Sequence, residues 1–563
     1  MPALRPEPQF KNRPYLKMRI PSFRHKDKQD SVTEKPVDAT SPTVASVDDA
    51  AAAADDGHNS ISLKIHNRTS TEFLTLSVFG ALHTGNGVTQ RVASSSLPTS
   101  PVLGGSEGGF GATSAAGVGA GVFSVRNTPV RVPAGQRVDV PAVRIQAFTA
   151  AATGGYTVSL TLNPRSSLAG VGGYSATLSA PAPALVQTEA AQAARRLWKP
   201  LPLTPTPIPV SKKSPKLGIQ SSTTPSAPTV IALESTDIAT NTLHILLLPQ
   251  RDLNTWMTSL PSTDPISSFC IPGTHESCAL YGWPISACQE TTSSISVQLS
   301  RGIRFLDVRL ALKGTPGNQL LYAYHGVTDQ KIEFSAILSQ VYSFLTTNPG
   351  ETVLMSVKQE NNMAGFLDTV FGYINKNPNQ WWLGTGMPKL ADVRGKILLI
   401  SRFGSSDSQP GGIHPPIWPD SSPTPFQYNL PDNTSVYTQD WYNISSLSAI
   451  PQKMSLVTSL LTQCGNDPNV LGLNFTNGSS FPFALPPWVA KGTGDQSKAA
   501  NGGGWLQNVG VNALLVDLVA TRLKGGEAGV RRAGLMNVIA MDFFDQNNLG
   551  ADLTSLMVQA NFQ

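Results

Sequence analysis

Ile303-Arg-Phe-Leu-Asp-Val-Arg-Leu310 is an apolar run of strand length that turns charged towards its end, and Thr352-Val-Leu-Met-Ser-Val357 repeats the texture. Between them, Ile332–Leu345 carries apolar residues at three- and four-residue spacing, which predicts a helix with one buried face. Strand, helix and strand in that order predict a parallel crossover unit. Working outward, the same texture runs from about Gln250 to the end of the chain. Short apolar strands are expected at Ser268–Ile271, Ile303–Leu310, Leu320–Tyr324, Thr352–Val357, Lys396–Ile400, Val436–Thr438, Val470–Leu473 and Val538–Met541. A second helical period lies at Ile450–Gln463. Eight such strands predict an α/β fold over residues 251–563, a (β/α)8 TIM-like barrel, regular or irregular.

The preceding half reads differently. Residues 58–179 hold short runs such as Ile61–Ile65, Phe73–Val78, Arg137–Ile145 and Tyr156–Leu162 between Gly, Asn and Pro signals. They predict a small all-β, sandwich-like domain, with residues 242–249 available as a further strand. The Gly-rich stretch Gly104–Gly121 lacks GxGxxG spacing between a strand and a helix, so it reads as a loop and not a nucleotide site. Residues 180–241, rich in Pro, Ala, Ser and Thr, read as a linker, with a short helix at Gln187–Trp198. Residues 1–57 read as a disordered basic tail.

Charge excludes some function classes. The 563 residues carry a formal net charge of +5, and residues 1–30 alone account for it, so the folded part is balanced. That gives no case for nucleic acid as a partner. A basic tail suits either an anionic lipid surface or plain solvent. No apolar run reaches transmembrane length, and no apolar core follows the N-terminal charges. The expectation is a cytoplasmic or peripheral membrane protein, with secretion left open. Four cysteines make no disulfide framework and no CxxC pair. Glycosylation triplets stand at Asn67, Asn433, Asn443, Asn474 and Asn477, a pattern common by chance.

The chemistry sits at strand ends. His275 and Glu276 follow the first expected strand; Asp307 and Arg309 end the second; Tyr324-His325-Gly326 ends the third. Lys358 and Glu360, Arg402, Asp440 with Tyr442, and Asp542 follow later strands. In a barrel those ends share one face. Two imidazoles and a guanidinium suit acid–base cleavage of a phosphodiester. One imidazole takes a proton from an attacking hydroxyl, the other protonates the leaving oxygen, and the guanidinium answers charge growing on the phosphoryl group.

Ile271–Ser277, Gly302–Arg309, Tyr324–Gly326 and Asn348–Glu360 resemble the X region of the phosphatidylinositol-specific phospholipases C, the bacterial type most closely. The resemblance covers residues 251–563 and implies a lyase that cuts phosphatidylinositol to diacylglycerol and inositol 1,2-cyclic phosphate. It implies His275 as general base, His325 as general acid, Arg309 as transition-state stabiliser and Asp542 as the group orienting His275. Lys358, Arg402, Asp440 and Tyr442 match positions lining the inositol pocket. Glu276 departs from the family's Asp, keeping the carboxylate but lengthening its arm. Arg309 stands where calcium-dependent relatives carry an acidic ligand, which implies no metal and no cofactor. The implied partner is a phosphatidylinositol-containing membrane, touched peripherally, with Trp283 and Trp381-Trp382 as candidate interfacial residues. Two alternatives stay open: another barrel phosphodiesterase of the glycerophosphodiester or sphingomyelinase D kind, and a headgroup-binding module that has lost catalysis.

Overall fold

The structure is a computed structural model that describes residues 60–80, 124–125, 130–144, 156–164, 173–180, 197–206, 230–237 and most of 242–563. The expected tail, the Gly104–Gly121 loop and most of the Gln187–Trp198 helix lie outside the described residues.

The second half of the chain is α/β. Its central sheet places eight strands parallel to their neighbours in the spatial order Trp381–Trp382, Ile397–Arg402, Val353–Gln359, Phe305–Thr315, Ile271–Thr274, Val538–Met541, Val470–Phe475 and Ser435–Gln439. Phe426–Asn429 adds an antiparallel edge beside the last. One expected member is corrected. Leu320–Tyr324 belongs to Asn318–His325, an antiparallel arm paired with the extension of Phe305–Thr315 and with Thr328–Glu333. Thr315 faces Asn318 directly, so the connection is a tight turn with no room for the helix a parallel return needs. The short Trp381–Trp382 segment is the parallel member that the sequence reading passed over.

Alternate residues of these strands separate into two cores. Phe305, Leu354, Leu398, Ile400, Val436, Leu471, Leu473, Phe475, Val538 and Ala540 make one buried inner cluster. Leu306, Val308, Met355, Val357, Leu399, Ile539 and Met541 pack outward with the helices Phe334–Thr347, Ile450–Cys464 and Val511–Gly525. Strands distant in the sheet thus contribute to one interior. Burial on both faces is why they read as apolar runs and not as alternation. Each such large side chain contributes roughly 1.5–3 kcal/mol on leaving water.

Two further sheets precede this part. One runs in the order Arg137–Arg144, Ser60–Asn67, Thr242–Pro249, Val230–Asp237 and Lys199–Pro200. The other runs Ser124–Val125, Phe73–Gly80, Tyr156–Pro164, Gly173–Ala180 and Thr204–Thr206. They share one core, including Leu63, Ile65, Phe73, Leu160, Tyr174, Ile245 and Leu247. The expected linker at 180–241 is corrected in part. Lys199–Pro200, Thr204–Thr206 and Val230–Asp237 are strands, and Val230–Asp237 pairs with Thr242–Pro249 along its whole length. Thr204-Pro-Thr206 escaped notice because proline is tolerated on an edge strand. The far face of Thr242–Pro249 packs Leu246 and Leu248 into the outer core of the α/β half. Trp198 joins them, its indole donating to Thr521 Oγ1 at 3.1 Å, and Arg68 donates to the Lys524 carbonyl at 2.7 Å. Among the described residues, no helix is long and apolar enough to cross a membrane.

Candidate active site

The strand Ile271–Thr274 delivers His275 and Glu276 to the carboxyl end of the sheet. Gly273 is required there, because a Cβ would stand 2.8 Å from the Phe305 side chain. Glu276 then turns with φ 44°, a left-handed conformation costing a non-glycine residue about 1–3 kcal/mol. Its N–H donates to Asp307 Oδ2 at 3.3 Å, and its carbonyl accepts from the Ala279 N–H at 2.8 Å.

His275 is nearly sealed from solvent. Its Nδ1 lies 2.8 Å from Asp542 Oδ1, while Arg309 Nη2 at 2.9 Å and Asn477 Nδ2 at 3.2 Å point at Nε2. Two donors on Nε2 assign the remaining proton to Nδ1, so the lone pair faces the cleft. Burial, followed by the charge of Arg309 and then of His325, Arg402 and Lys453, holds the imidazole well below its ordinary range. Burial also pushes the Asp542 carboxyl up, with Glu276 adding to the effect. The direction that governs the pair is His275's: a neutral ring, oriented by the carboxyl behind it.

Arg309 ties the site together. Its Nε donates to Asp307 Oδ2 at 3.0 Å and its Nη1 lies 2.9 Å from Glu276 Oε1, with Glu360 at 3.9 Å. Glu276 Oε1 also lies 3.8 Å from His325 Nε2. The added methylene of Glu276 therefore spans the gap between the guanidinium and the second imidazole. His325 Nδ1 donates to the Ser286 carbonyl at 2.7 Å, so its ring is held by a backbone oxygen. Asp307 is fully buried. Burial alone would raise its carboxyl, but Arg309 and Arg402 together hold it below the usual range.

The inositol-pocket candidates gather beside this group. Arg309, Lys358, Arg402, Asp440 and Tyr442 line a cleft of about 400 Å³ together with Trp418. The Arg402 guanidinium stacks over the Trp418 ring at 3.6 Å, and the Trp418 indole donates to Asp440 Oδ2 at 2.9 Å. Lys358 pairs with Glu360 at 2.7 Å, and Tyr442 Oη donates to Asp420. Asp440 Oδ1 is buried without a partner, an acceptor presented to whatever enters.

Sequence reasoning missed several residues here. Asn477 follows Phe475 at a strand's carboxyl end, so the rule used for the other residues would have found it. Asn67, Asn474 and Asn477 are buried, which removes them as glycosylation acceptors. Trp418 lies in a proline-rich loop with no strand to flag it. Cys288 had no signal, yet its thiol lies 3.7 Å from His325 Nδ1. With His275 and Asp542 it forms the one described group of His, Cys and acidic donors close enough to hold a metal ion. The His275 Nδ1 of that group is committed to Asp542, and burial pushes the thiol well up, away from the thiolate a metal needs. The tryptophan candidates divide. Trp283 is exposed, whereas Trp381 is buried with its indole donating to Tyr342 Oη at 2.8 Å, and Trp382 packs on the inner core.

The family model described as phosphatidylinositol-specific phospholipase C, X domain, matches residues 262–403, which hold His275, Glu276, Arg309, His325, Lys358 and Arg402. The match is to that domain alone, over those residues. Beyond the X domain, similarity extends to the 1-phosphatidylinositol phosphodiesterase of Listeria monocytogenes, 29% identical over 247 residues, which cover 42% of this chain and 71% of the relative. The enzyme of the same name from Staphylococcus aureus is 25% identical over 281 residues, 45% of this chain and 86% of the relative. The solved phosphatidylinositol-specific phospholipase C of Listeria monocytogenes covers 55% of this chain and 99% of its own length at 24% identity, with a TM-score of 0.39.

Proposed function

We propose that this X-domain enzyme cleaves phosphatidylinositol, or a related inositol phospholipid, to diacylglycerol and inositol 1,2-cyclic phosphate on an irregular (β/α)8 barrel. The observation that carries this reading is the chain of contacts from Asp542 through His275, Arg309 and Glu276 to His325 beside a cleft lined with hydroxyl-binding groups. The phosphodiester enters next to Arg309, whose fork turns from His275 Nε2 onto the phosphoryl oxygens. The freed Nε2 takes the proton of the inositol 2-hydroxyl as its oxygen attacks phosphorus. His325 protonates the departing diacylglycerol oxygen, and Glu276 stabilises the charged form of that ring. Asp440 Oδ1 accepts an inositol hydroxyl, Lys358 and Arg402 answer negative charge, and Tyr442 offers the sugar a ring face. Each proton transfer is worth about 10²–10⁴-fold.

The same end of the sheet fits a membrane surface. Trp283, Ile285, Val327, Phe481 and Phe483 are each more than half exposed. Ser286 Oγ lies 2.9 Å from Thr328 Oγ1, joining the Trp283 loop to the hairpin turn that carries Val327. Lys491 stands 5.1 Å over the Trp283 ring, a cation at the level of lipid headgroups.

The test is phosphorus NMR of phosphatidylinositol vesicles with wild type and His275→Ala in excess chelator. The expected result is a cyclic phosphate from wild type, undiminished by chelator, and a loss of about 10⁴-fold in the variant. Calcium rescue, or turnover that survives His275→Ala, would overturn the reading.

A further inference from the structure

Lys453 is a fully buried charged side chain beside the site to which the mechanism gives no task. It rises from the helix Ile450–Cys464 and is fully buried, with its Nζ donating to Gln439 Oε1 at 3.2 Å and to the Trp441 carbonyl at 2.5 Å. Both acceptors are neutral, and among the described residues no carboxylate pairs with it. A buried ammonium without a counter-ion is costly, and the fold alone would be served as well by a methionine of similar length. Burial pushes the group down to about 7.

Its contacts close a circuit. Gln439 Oε1 also accepts the Trp441 N–H at 2.9 Å, and Gln439 Nε2 donates to Asn474 Oδ1 at 3.0 Å and to the Phe475 carbonyl at 2.8 Å. Asn474 Nδ2 returns to the Val457 carbonyl, on the same helix as Lys453, at 2.9 Å. The circuit fixes the backbone on both sides of Asp440 and immediately before Tyr442. Asp440 and, more weakly, Asp542 feel the ammonium's charge, and so does His275.

We propose that Lys453 is a positioning residue that pins the Gln439–Tyr442 turn to the Ile450–Cys464 helix and so sets affinity for the polyhydroxylated headgroup. The inference rests on the cleft being the substrate site, and its test separates the two. The substitution Lys453→Met removes the ammonium at nearly constant volume; Lys453→Gln keeps a donor without the charge. For a soluble inositol phosphodiester, Lys453→Met raises KM about tenfold or more with a smaller change in kcat, while the thermal midpoint stays near wild type. Lys453→Gln recovers part of the KM. In both variants the acid limb of kcat/KM moves to higher pH. A cation has been taken from His275, which otherwise faces Arg309, His325 and Arg402, with Asp542 on its other nitrogen.

Hydrogen exchange at the Trp441 amide reads the pinning without turnover: faster in Lys453→Met, intermediate in Lys453→Gln. Unchanged exchange and unchanged KM would overturn the proposal. A KM rise that merely follows a lost thermal midpoint would do the same. If wild type turns over no inositol phosphodiester but exchange still accelerates, the functional reading fails and the pinning stands.

Discussion

The strand Phe305–Thr315 begins just after one arginine and carries another, and the two have opposite surroundings. Arg304 is fully buried at its amino end. Its guanidinium pairs with Glu351 at 2.8 Å and donates to the carbonyls of Leu299, Ile303, Leu253 and Asn254 at 2.8–3.1 Å. Arg309 faces Asp307, Glu276 and the ring nitrogen of His275, with Glu360 at the edge. One cation is closed off by a single carboxylate and by backbone, which cannot change charge. The other is held by side chains that titrate or move. A closed shell secures a fold; a shell of ionisable partners leaves donors that a phosphoryl group can recruit.

The largest effect that tests this contrast comes from making one substitution at both ends. In Arg309→Lys the charge stays and the planar fork is lost. The expected fall in kcat/KM is about 10²–10³-fold, with a urea midpoint near wild type. In Arg304→Lys several buried carbonyls and part of Glu351 lose their donors. Unfolding free energy falls by about 2–4 kcal/mol, while the folded fraction keeps its turnover. The contrast breaks if Arg309→Lys costs mainly stability, or if Arg304→Lys costs mainly turnover.

Much of this was legible in the sequence, for a physical reason. The parallel strands are apolar until their carboxyl ends, where chemistry-bearing residues appear, so His275, Arg309, Lys358, Arg402, Asp440 and Asp542 announce themselves by position. Arg304 sits in the same short motif as Arg309, and spacing alone did not assign the two to opposite ends of one strand. His325 was picked because it ends the third expected strand, although that strand runs antiparallel. Trp418, Cys288 and Lys453 were not legible. They reach the site from a loop, a turn and a helix face, and no local pattern records a contact made by tertiary packing. Two strands inside the supposed linker, Lys199–Pro200 and Thr204–Thr206, were hidden by proline and threonine, which composition reads as coil and an edge strand accepts; the apolar run Val230–Asp237 was lost in the composition of its surroundings.

A smaller effect sharpens the contrast at the open end. If the mouth that holds Arg309 works at a lipid surface, its exposed aromatics contribute to binding and not to chemistry. Trp283→Ala and Phe481→Ala are each expected to weaken association with phosphatidylinositol vesicles about tenfold, the equivalent of roughly 1–2 kcal/mol of apolar burial. Turnover of a soluble inositol phosphodiester stays within about twofold of wild type, since neither ring is among the cleft-lining residues. Vesicle sedimentation beside a soluble assay separates the two, and equal losses in both would place these rings in the site itself.

The smallest effect asks whether a depressed imidazole by itself marks function, as a closed-shell arginine does not. His66 and His244 lie on adjacent strands of the preceding sheet, Nε2 to Nδ1 at 3.2 Å, with their rings stacked. Burial first, then mutual charge and Lys524, pushes His66 down to about 3; burial and Lys524 push His244 down to about 4. Both folded values lie below the unfolded imidazole near 6.5, so the unfolded chain takes up protons first as pH falls. The stability these rings permit is full above about pH 6.5, declines as the pH falls towards 4 and then 3, and levels off below. His66 is buried and His244 half-buried, so solvent screens the effect more at His244. In His66→Phe the stability-against-pH curve is expected to be flatter than wild type between pH 6 and 4, with turnover at pH 7 unchanged. Parallel curves would mean that the pair is protonated in the folded state after all. Flattening without loss of turnover would leave His275 distinguished not by its depressed proton affinity, which it shares, but by the Asp542 behind it and the open cleft in front.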